Sequence, residues 1–282
     1  SLIDMYDTET NDLLFNYNYF DLSSYDYDIL YHGYSYLYDT ITSNKTNEKY
    51  VCRHFTDPLK SLCKNEIINY ITELEIISQL NHPSIVKFIG YNPTSNYNDL
   101  GVILEFLSNG SLANYIENSD SEEQKLKLDD TKKLICIYGI ASAMSYLHSH
   151  SIIHQDLKLE NILLDDLLYP KLSGFSIAIS LKNGSSYIKC DTIKGTPAYL
   201  APEVYNRKEY SKSSDVYSYA FIIYEIMTGR KPFNIFVSPK EIKEELNEHD
   251  YRPPFEIPIK ETYRELIEKC WCKTPEERPT FD

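Results

Sequence analysis

The spacing of apolar residues changes once along this chain, near Glu105–Asn109, and that change limits the fold more than any other feature. Before it the pattern is mostly strand-like. "YDYDILYHGYSYLYDTI" alternates loosely, "TSNKTNE" supplies a polar turn, and "KYVCRHF" begins a third strand. "NEIINYITELEIISQL" carries apolar residues at helical spacing and stops at Asn81-His82-Pro83. "SIVKFIGY" and "LGVILEFL" read as two further strands around the loop "NPTSNYND". After "SNGSL" the acidic loop "ENSDSEEQKLKLDD" leads into a long apolar helix over Thr131–Ser149. Short strands then flank "IIHQDLKLENILL" and "LSGFSIAIS", the loop "LKNGSSYIKCDTIKGT" is polar, and the chain from Pro202 onward is mostly helical. The pattern predicts an α+β chain in two lobes: a small strand-rich lobe with one main helix, and a larger helical lobe. The expected division is an acidic, tyrosine-rich lead-in of low order over 1–24, a small lobe over 25–107 and a large lobe over 108–282. A cleft between two such lobes is the default ligand site.

Composition narrows the function classes. The 282 residues, 42% of them hydrophobic, suffice for a sizeable core. A balance of 28 basic against 42 acidic residues gives −14, which argues against a general nucleic-acid or anionic-membrane binder. The 26 tyrosines read as compositional bias rather than as a tyrosine-based function. Cys52, Cys63, Cys136, Cys190, Cys270 and Cys272 follow no zinc or disulfide spacing, so reduced thiols in a cytoplasmic protein are expected. The longest apolar stretches, Leu134–Met144 and Tyr219–Met227, are too short to span a bilayer, so no membrane insertion is expected. The first residue is Ser rather than Met, and the expectation is a piece of a longer multidomain chain.

The densest group of chemistry-bearing residues is His154, Asp156, Lys158 and Asn161. A carboxylate here can accept a proton from a hydroxyl nucleophile. A Lys two residues on can neutralise a phosphate oxygen, and an Asn three further can ligate Mg²⁺ through its amide oxygen. Taken alone, the same residues could also serve only to stabilise a strand–loop turn.

With the segments around it, this stretch resembles the eukaryotic protein kinase family from about Tyr25 to the C-terminus. "HQDLKLEN" resembles the catalytic loop, "GTPAYLAPE" the end of an activation segment, and "SSDVYSYAFIIYEIMTGRKPF" the following helix with Asp215 as its buried anchor. "CWCKTPEERPTF" is similar to the C-terminal signature of the tyrosine-kinase-like group, and Lys158 with Thr196 to the Ser/Thr-specific site. The resemblance implies the bilobal kinase fold, with the last family helix cut short. It makes Asp156 the catalytic base, Lys158 the contact to the transferred phosphate and Asn161 a metal ligand. Glu73 takes the place of the ion-pairing glutamate of the small-lobe helix. Val51, Leu104 (the gatekeeper), Glu105, Leu107 and Leu163 fall around the adenine. Glu203 and Arg278 match a structural ion pair, and Ile77, Phe88, His154 and Phe175 a stacked apolar column.

Four departures from the family pattern concern the nucleotide. Gly174-Phe175-Ser176 stands against Asp-Phe-Gly, so Gly174 replaces the carboxylate that holds Mg²⁺ against the phosphates. Arg53 stands where the family has Lys, an exchange that is not conservative in a phosphate site. Leu30, His32 and Ser35 align with the three loop glycines, with Gly33 between them. Gln155 replaces the Arg that pairs with activation-loop phosphate, although Ser185, Ser186, Tyr187 and Thr192 are candidate phosphosites. The expectation is a pseudokinase with weak or absent binding of ATP and Mg²⁺, acting as a signalling module toward a protein partner. The alternative is an active Ser/Thr kinase with a protein substrate and atypical phosphate handling.

Overall fold

Alternating strands need a partner face on each side, and the first part of the chain supplies one. β1 (Tyr25–His32), β2 (Tyr36–Ser43), β3 (Lys49–Phe55), β4 (Phe88–Asn92) and β5 (Gly101–Glu105) form one antiparallel sheet in the order β1-β2-β3-β5-β4. The coordinates are a computed structural model and describe residues 20–32, 36–55, 64–92, 101–117, 128–181, 184–233 and 238–282. Lead-in residues 1–19, Gly33, Ser35, Cys63 and most of the two long polar loops lie outside the described residues, as does the His32 side chain. The chain divides into two units, one of Ser1–Asn81 with Val86–Phe106, the other of His82–Ile85 with Leu107–Asp282.

In the first unit the period-two pattern of β3 sends Cys52 to one face and Arg53 and Phe55 to the other. On the Phe55 face lies α1 (Lys64–Ile77), whose Tyr70 and Leu74 pack with Phe55, Tyr91 and Val102. The opposite face buries Cys52 with Ile41, Ile103 and Leu22. Leu22 begins a short 3-10 turn (Leu22–Ser24) capped by the Asp21 side chain, and the Phe20 N–H donates to the Tyr91 carbonyl at 3.0 Å. Residues 20–24, assigned to a lead-in of low order on their polarity, therefore cover the sheet. Two apolar anchors, Phe20 and Leu22, were hidden among acidic and tyrosine residues.

The second unit is built on two buried helices. α2 (Leu112–Glu117) is followed by α3 (Asp130–Ser149), whose first turn is closed by Asp129 Oδ1 accepting from the Lys132 N–H at 2.8 Å. Gly139 admits Pro170 against the helix: a Cβ there would meet the proline ring at 2.6 Å. Short ladders pair β6 (Ile152–Ile153) with β9 (Ile179–Ser180), and β7 (Ile162–Leu164) with β8 (Pro170–Leu172). β10 (Tyr187–Lys189) pairs with β11 (Glu209–Ser211), and α4 (Pro202–Arg207) lies just ahead of β11. α5 (Lys212–Thr228) starts in a capping box of Ser211 and Ser214, ends at Gly229 with φ +67°, and is buried almost all round. Its Tyr219 hydroxyl donates to the Ile137 carbonyl of α3 at 2.8 Å. α6 (Pro239–Glu248) and α7 (Glu261–Cys270) are amphipathic and bury single stripes. The expected helix-rich second lobe is present, and Arg278 meets Glu203 through both nitrogens, at 2.7 and 2.9 Å.

Candidate functional site

The catalytic-loop residues are placed from below by one carboxylate. Asp215, in the first turn of α5 and 1% exposed, accepts N–H bonds from His154 and Gln155 at 2.9 and 3.0 Å, and lies 3.0 Å from His148 Nε2. Two main-chain donors on one buried acceptor fix the loop's path; Gln155 accordingly sits at φ +68°, a conformation few side chains adopt. Burial holds the His154 pKa below the usual histidine value, so the ring is neutral. Its Nε2–H then donates to the Ser173 carbonyl at 2.9 Å, and Nδ1 accepts from the Asp156 N–H at 3.3 Å. The His154 ring meets Phe175 edge to face at 5.2 Å, both almost fully buried.

Above this frame Asp156 is engaged on both oxygens. Oδ1 accepts from Thr196 Oγ1 at 2.7 Å, and Thr196 Oγ1 accepts in turn from Lys158 Nζ at 2.7 Å. Lys158 Nζ is also 3.2 Å from Asp156 Oδ2, and Asn161 Nδ2 donates to Oδ2 at 3.0 Å and to the Asp156 carbonyl at 2.7 Å. Asp156, Lys158, Asn161 and Thr196 thus form one closed network. It can hold a carboxylate ready to accept a proton from a hydroxyl.

The metal half of this site departs from that order. Gly174 sits at φ +84°. A Cβ on it would lie 2.5 Å from Asn161 Nδ2 and 2.7 Å from Oδ1, so the Asn161 amide fills the space of the missing side chain. Neighbouring Ser173 is turned away, its hydroxyl donating to the Asn161 carbonyl at 3.0 Å. Among the described residues no three acidic, histidine or cysteine side chains converge. A hard divalent cation favours carboxylate oxygen, and Gly174 supplies none.

In the first unit, Arg53 is 5% exposed and donates through Nη2 to Glu73 of α1. Its guanidinium stacks on the Tyr36 ring at 4.3 Å, and Nη1 is buried without a partner among the described residues. Burial opposes the Arg53 charge, but the Glu73 carboxylate, Tyr38 and Tyr36 together offset this and raise its pKa; burial pushes the Glu73 carboxyl up as well, against the pull of Arg53. A guanidinium is bulkier than an ammonium, and here it is held both by the Glu73 carboxylate and by the Tyr36 ring. Val51 and Leu104 are directly opposed across β3 and β5. The Glu105 N–H donates to the Lys87 carbonyl at 3.0 Å, and its carboxylate accepts from the Lys87 N–H at 2.8 Å. In the second unit Leu107 is partly buried and Leu163 pairs with Lys171 across β7 and β8.

One acidic group went unnoticed in the sequence. Glu225 of α5 is 4% exposed and accepts from the Tyr199 hydroxyl at 2.6 Å; burial pushes its pKa up to about 8. It lines a small open depression with Glu117 and Glu160, where Lys231 Nζ bonds Glu117 at 2.6 Å. A lone glutamate inside the apolar run "FIIYEIM" was the available signal.

Cys52, Cys136, Cys190, Cys270 and Cys272 carry free thiols, and among the described residues no helix is long and apolar enough to cross a membrane. Comparison with known proteins agrees with this architecture. A probable serine/threonine-protein kinase of Dictyostelium discoideum is 32% identical over 233 residues, 79% of this chain and 16% of its own length. The Arabidopsis thaliana serine/threonine-protein kinases CTR1 and STY17 are each 32% identical, over 75% and 74% of this chain and 25% and 35% of their own lengths. The chain thus spans about a third or less of each of these relatives. A family model described as Protein kinase domain matches residues 34–282, and by this match and by its fold the chain belongs to the protein kinase domain family.

Proposed function

We propose that this domain is a catalytically impaired kinase module that acts in signalling by binding other proteins. The observation that carries the reading is Gly174, which brings no carboxylate and whose side-chain space is taken by Asn161. Loss of a metal-holding carboxylate costs roughly 10³-fold or more in phosphoryl transfer. Arg53, held by Glu73 and Tyr36, supports the same reading, as do Leu30 and His32 at positions of the phosphate loop. On this reading Mg²⁺ and ATP bind weakly or not at all. The module works in a reducing cytoplasm as part of a longer chain, in keeping with the greater length of the relatives.

A specific observation favours a second reading, an active Ser/Thr kinase with atypical phosphate handling: the network of Asp156, Lys158, Asn161 and Thr196 is complete. Thermal unfolding with ATP, with and without Mg²⁺, combined with a phosphate-transfer assay, separates the two. The proposal expects no Mg²⁺-dependent rise in melting temperature and no transfer. A Mg²⁺-dependent rise, with transfer abolished by Asp156→Asn, establishes the second reading.

A further inference from the structure

The stretch from Tyr187 to Thr196 buries little, yet its backbone is bonded over 187–191 and again at Lys194. Tyr187, Ile188 and Lys189 pair in register with Ser211, Tyr210 and Glu209. The Cys190 N–H donates to the Lys208 carbonyl at 3.0 Å, and Lys208 Nζ donates to the Asp191 carbonyl. Tyr210, 1% exposed, then grips Lys194 from both sides. Its hydroxyl accepts from the Lys194 N–H at 2.6 Å and donates to the Lys194 carbonyl at 2.8 Å. Burial raises the Tyr210 pKa, so the hydroxyl keeps the proton this bond needs. Two residues on, Thr196 Oγ1 donates to Asp156. Between them Gly195, at φ +95°, lets the segment lie against the catalytic loop, where a Cβ would meet the Gln155 carbonyl at 2.6 Å.

Both sides of this arrangement are held from one corner. Tyr210 and Asp215 lie five positions apart, across the capping box of Ser211 and Ser214. Tyr210 holds the end of the activation segment, and Asp215 holds His154 and Gln155 of the catalytic loop. Kinase activation loops are commonly ordered by a phosphate pairing with arginine. Gln155 has no charge to offer, and its buried Nε2 has no partner among the described residues.

We propose that Tyr210 does the work of that phosphate: it fixes Lys194 so that Thr196 reaches Asp156, and this chain orders its activation segment without phosphorylation. The inference is independent of whether the domain transfers phosphate.

The test is hydrogen exchange of residues 187–196 in the phosphatase-treated chain. Wild-type protein is expected to protect this segment, including the Lys194 amide. Tyr210→Phe, which keeps the ring and removes the hydroxyl, is expected to speed that exchange by about 5- to 10-fold. Tyr217→Phe serves as the control, because the buried Tyr217 hydroxyl has no partner among the described residues, and it is expected to leave the segment unchanged. Protection that appears only when Ser185, Ser186, Tyr187 or Thr192 is phosphorylated overturns the proposal. So does unchanged exchange in Tyr210→Phe, or an equal rise in Tyr217→Phe.

Discussion

The Asn161 amide occupies the space in which a side chain on Gly174 would begin, 2.5 Å from Nδ2 and 2.7 Å from Oδ1. The same amide bonds Asp156 twice, so any residue at 174 must push against the loop that carries the candidate base. Gly174→Ala and Gly174→Asp are both expected to lower unfolding free energy by about 1–2 kcal/mol, through backbone strain at φ > 0 and displacement of Asn161. Urea unfolding measures this. Restoring the aspartate alone is not expected to give Mg²⁺-dependent stabilisation by ATP; a clear rise in melting temperature would contradict the account.

Arg53 and Glu73 are each about 5% exposed and face one another in the first unit. Glu73→Ala strands a buried guanidinium and is expected to cost about 3–5 kcal/mol. Replacing both, with Arg53→Met and Glu73→Leu, is expected to recover most of that loss. Thermal or denaturant unfolding of the two variants side by side gives the answer, and equal destabilisation would show that the charges are not coupled.

Glu225 introduces a pH dependence. Burial, and to a lesser degree the neighbouring Glu160, holds its pKa near 8 against the usual 4.5, although the Tyr199 hydrogen bond works the other way. The folded chain therefore binds this proton more tightly than the unfolded chain does. Its contribution to stability is full below about pH 4.5 and is lost as the pH rises through about 8. Glu225→Gln is expected to flatten the fall in stability over that window. A slope identical to wild type would mean that Glu225 is ionised in the folded chain at neutral pH.

Arg278 joins the C-terminal segment to Glu203 by two parallel hydrogen bonds and also donates to the Cys272 and Ser213 carbonyls. Arg278→Lys keeps the charge but cannot reproduce the fork, and is expected to cost about 2 kcal/mol. Limited proteolysis of the chain beyond Trp271 provides a second readout, with faster cleavage expected in the variant.

The strands and helices were legible because burial in a two-lobed chain stamps its period on the sequence. "KYVCRHF" alternates toward two covered faces, and the run after Ser211 is apolar on every side because α5 is enclosed. The sequence grouped Asp156, Lys158 and Asn161 by spacing, and the fold brings them into one hydrogen-bonded network with Thr196, while Asp215 holds the backbone of the same loop. What sequence did not reveal depends on conformation. Gly174 is readable as a missing carboxylate, but not as a residue at φ +84° against the Asn161 amide. Arg53 is readable as a cation, but its stacking on Tyr36 depends on the register of β2 with β3. Tyr210 was one tyrosine among 26, and only the approach of Lys194 sets it apart.

The Asp215 anchor bears on how chains of this kind drift. A buried carboxylate rooted in a long enclosed helix dictates the path of His154 and Gln155 through their main-chain N–H groups. The contour of the loop is thus inherited with the hydrophobic core. Turnover can vanish by changes at its rim while the surface seen by other molecules keeps its outline.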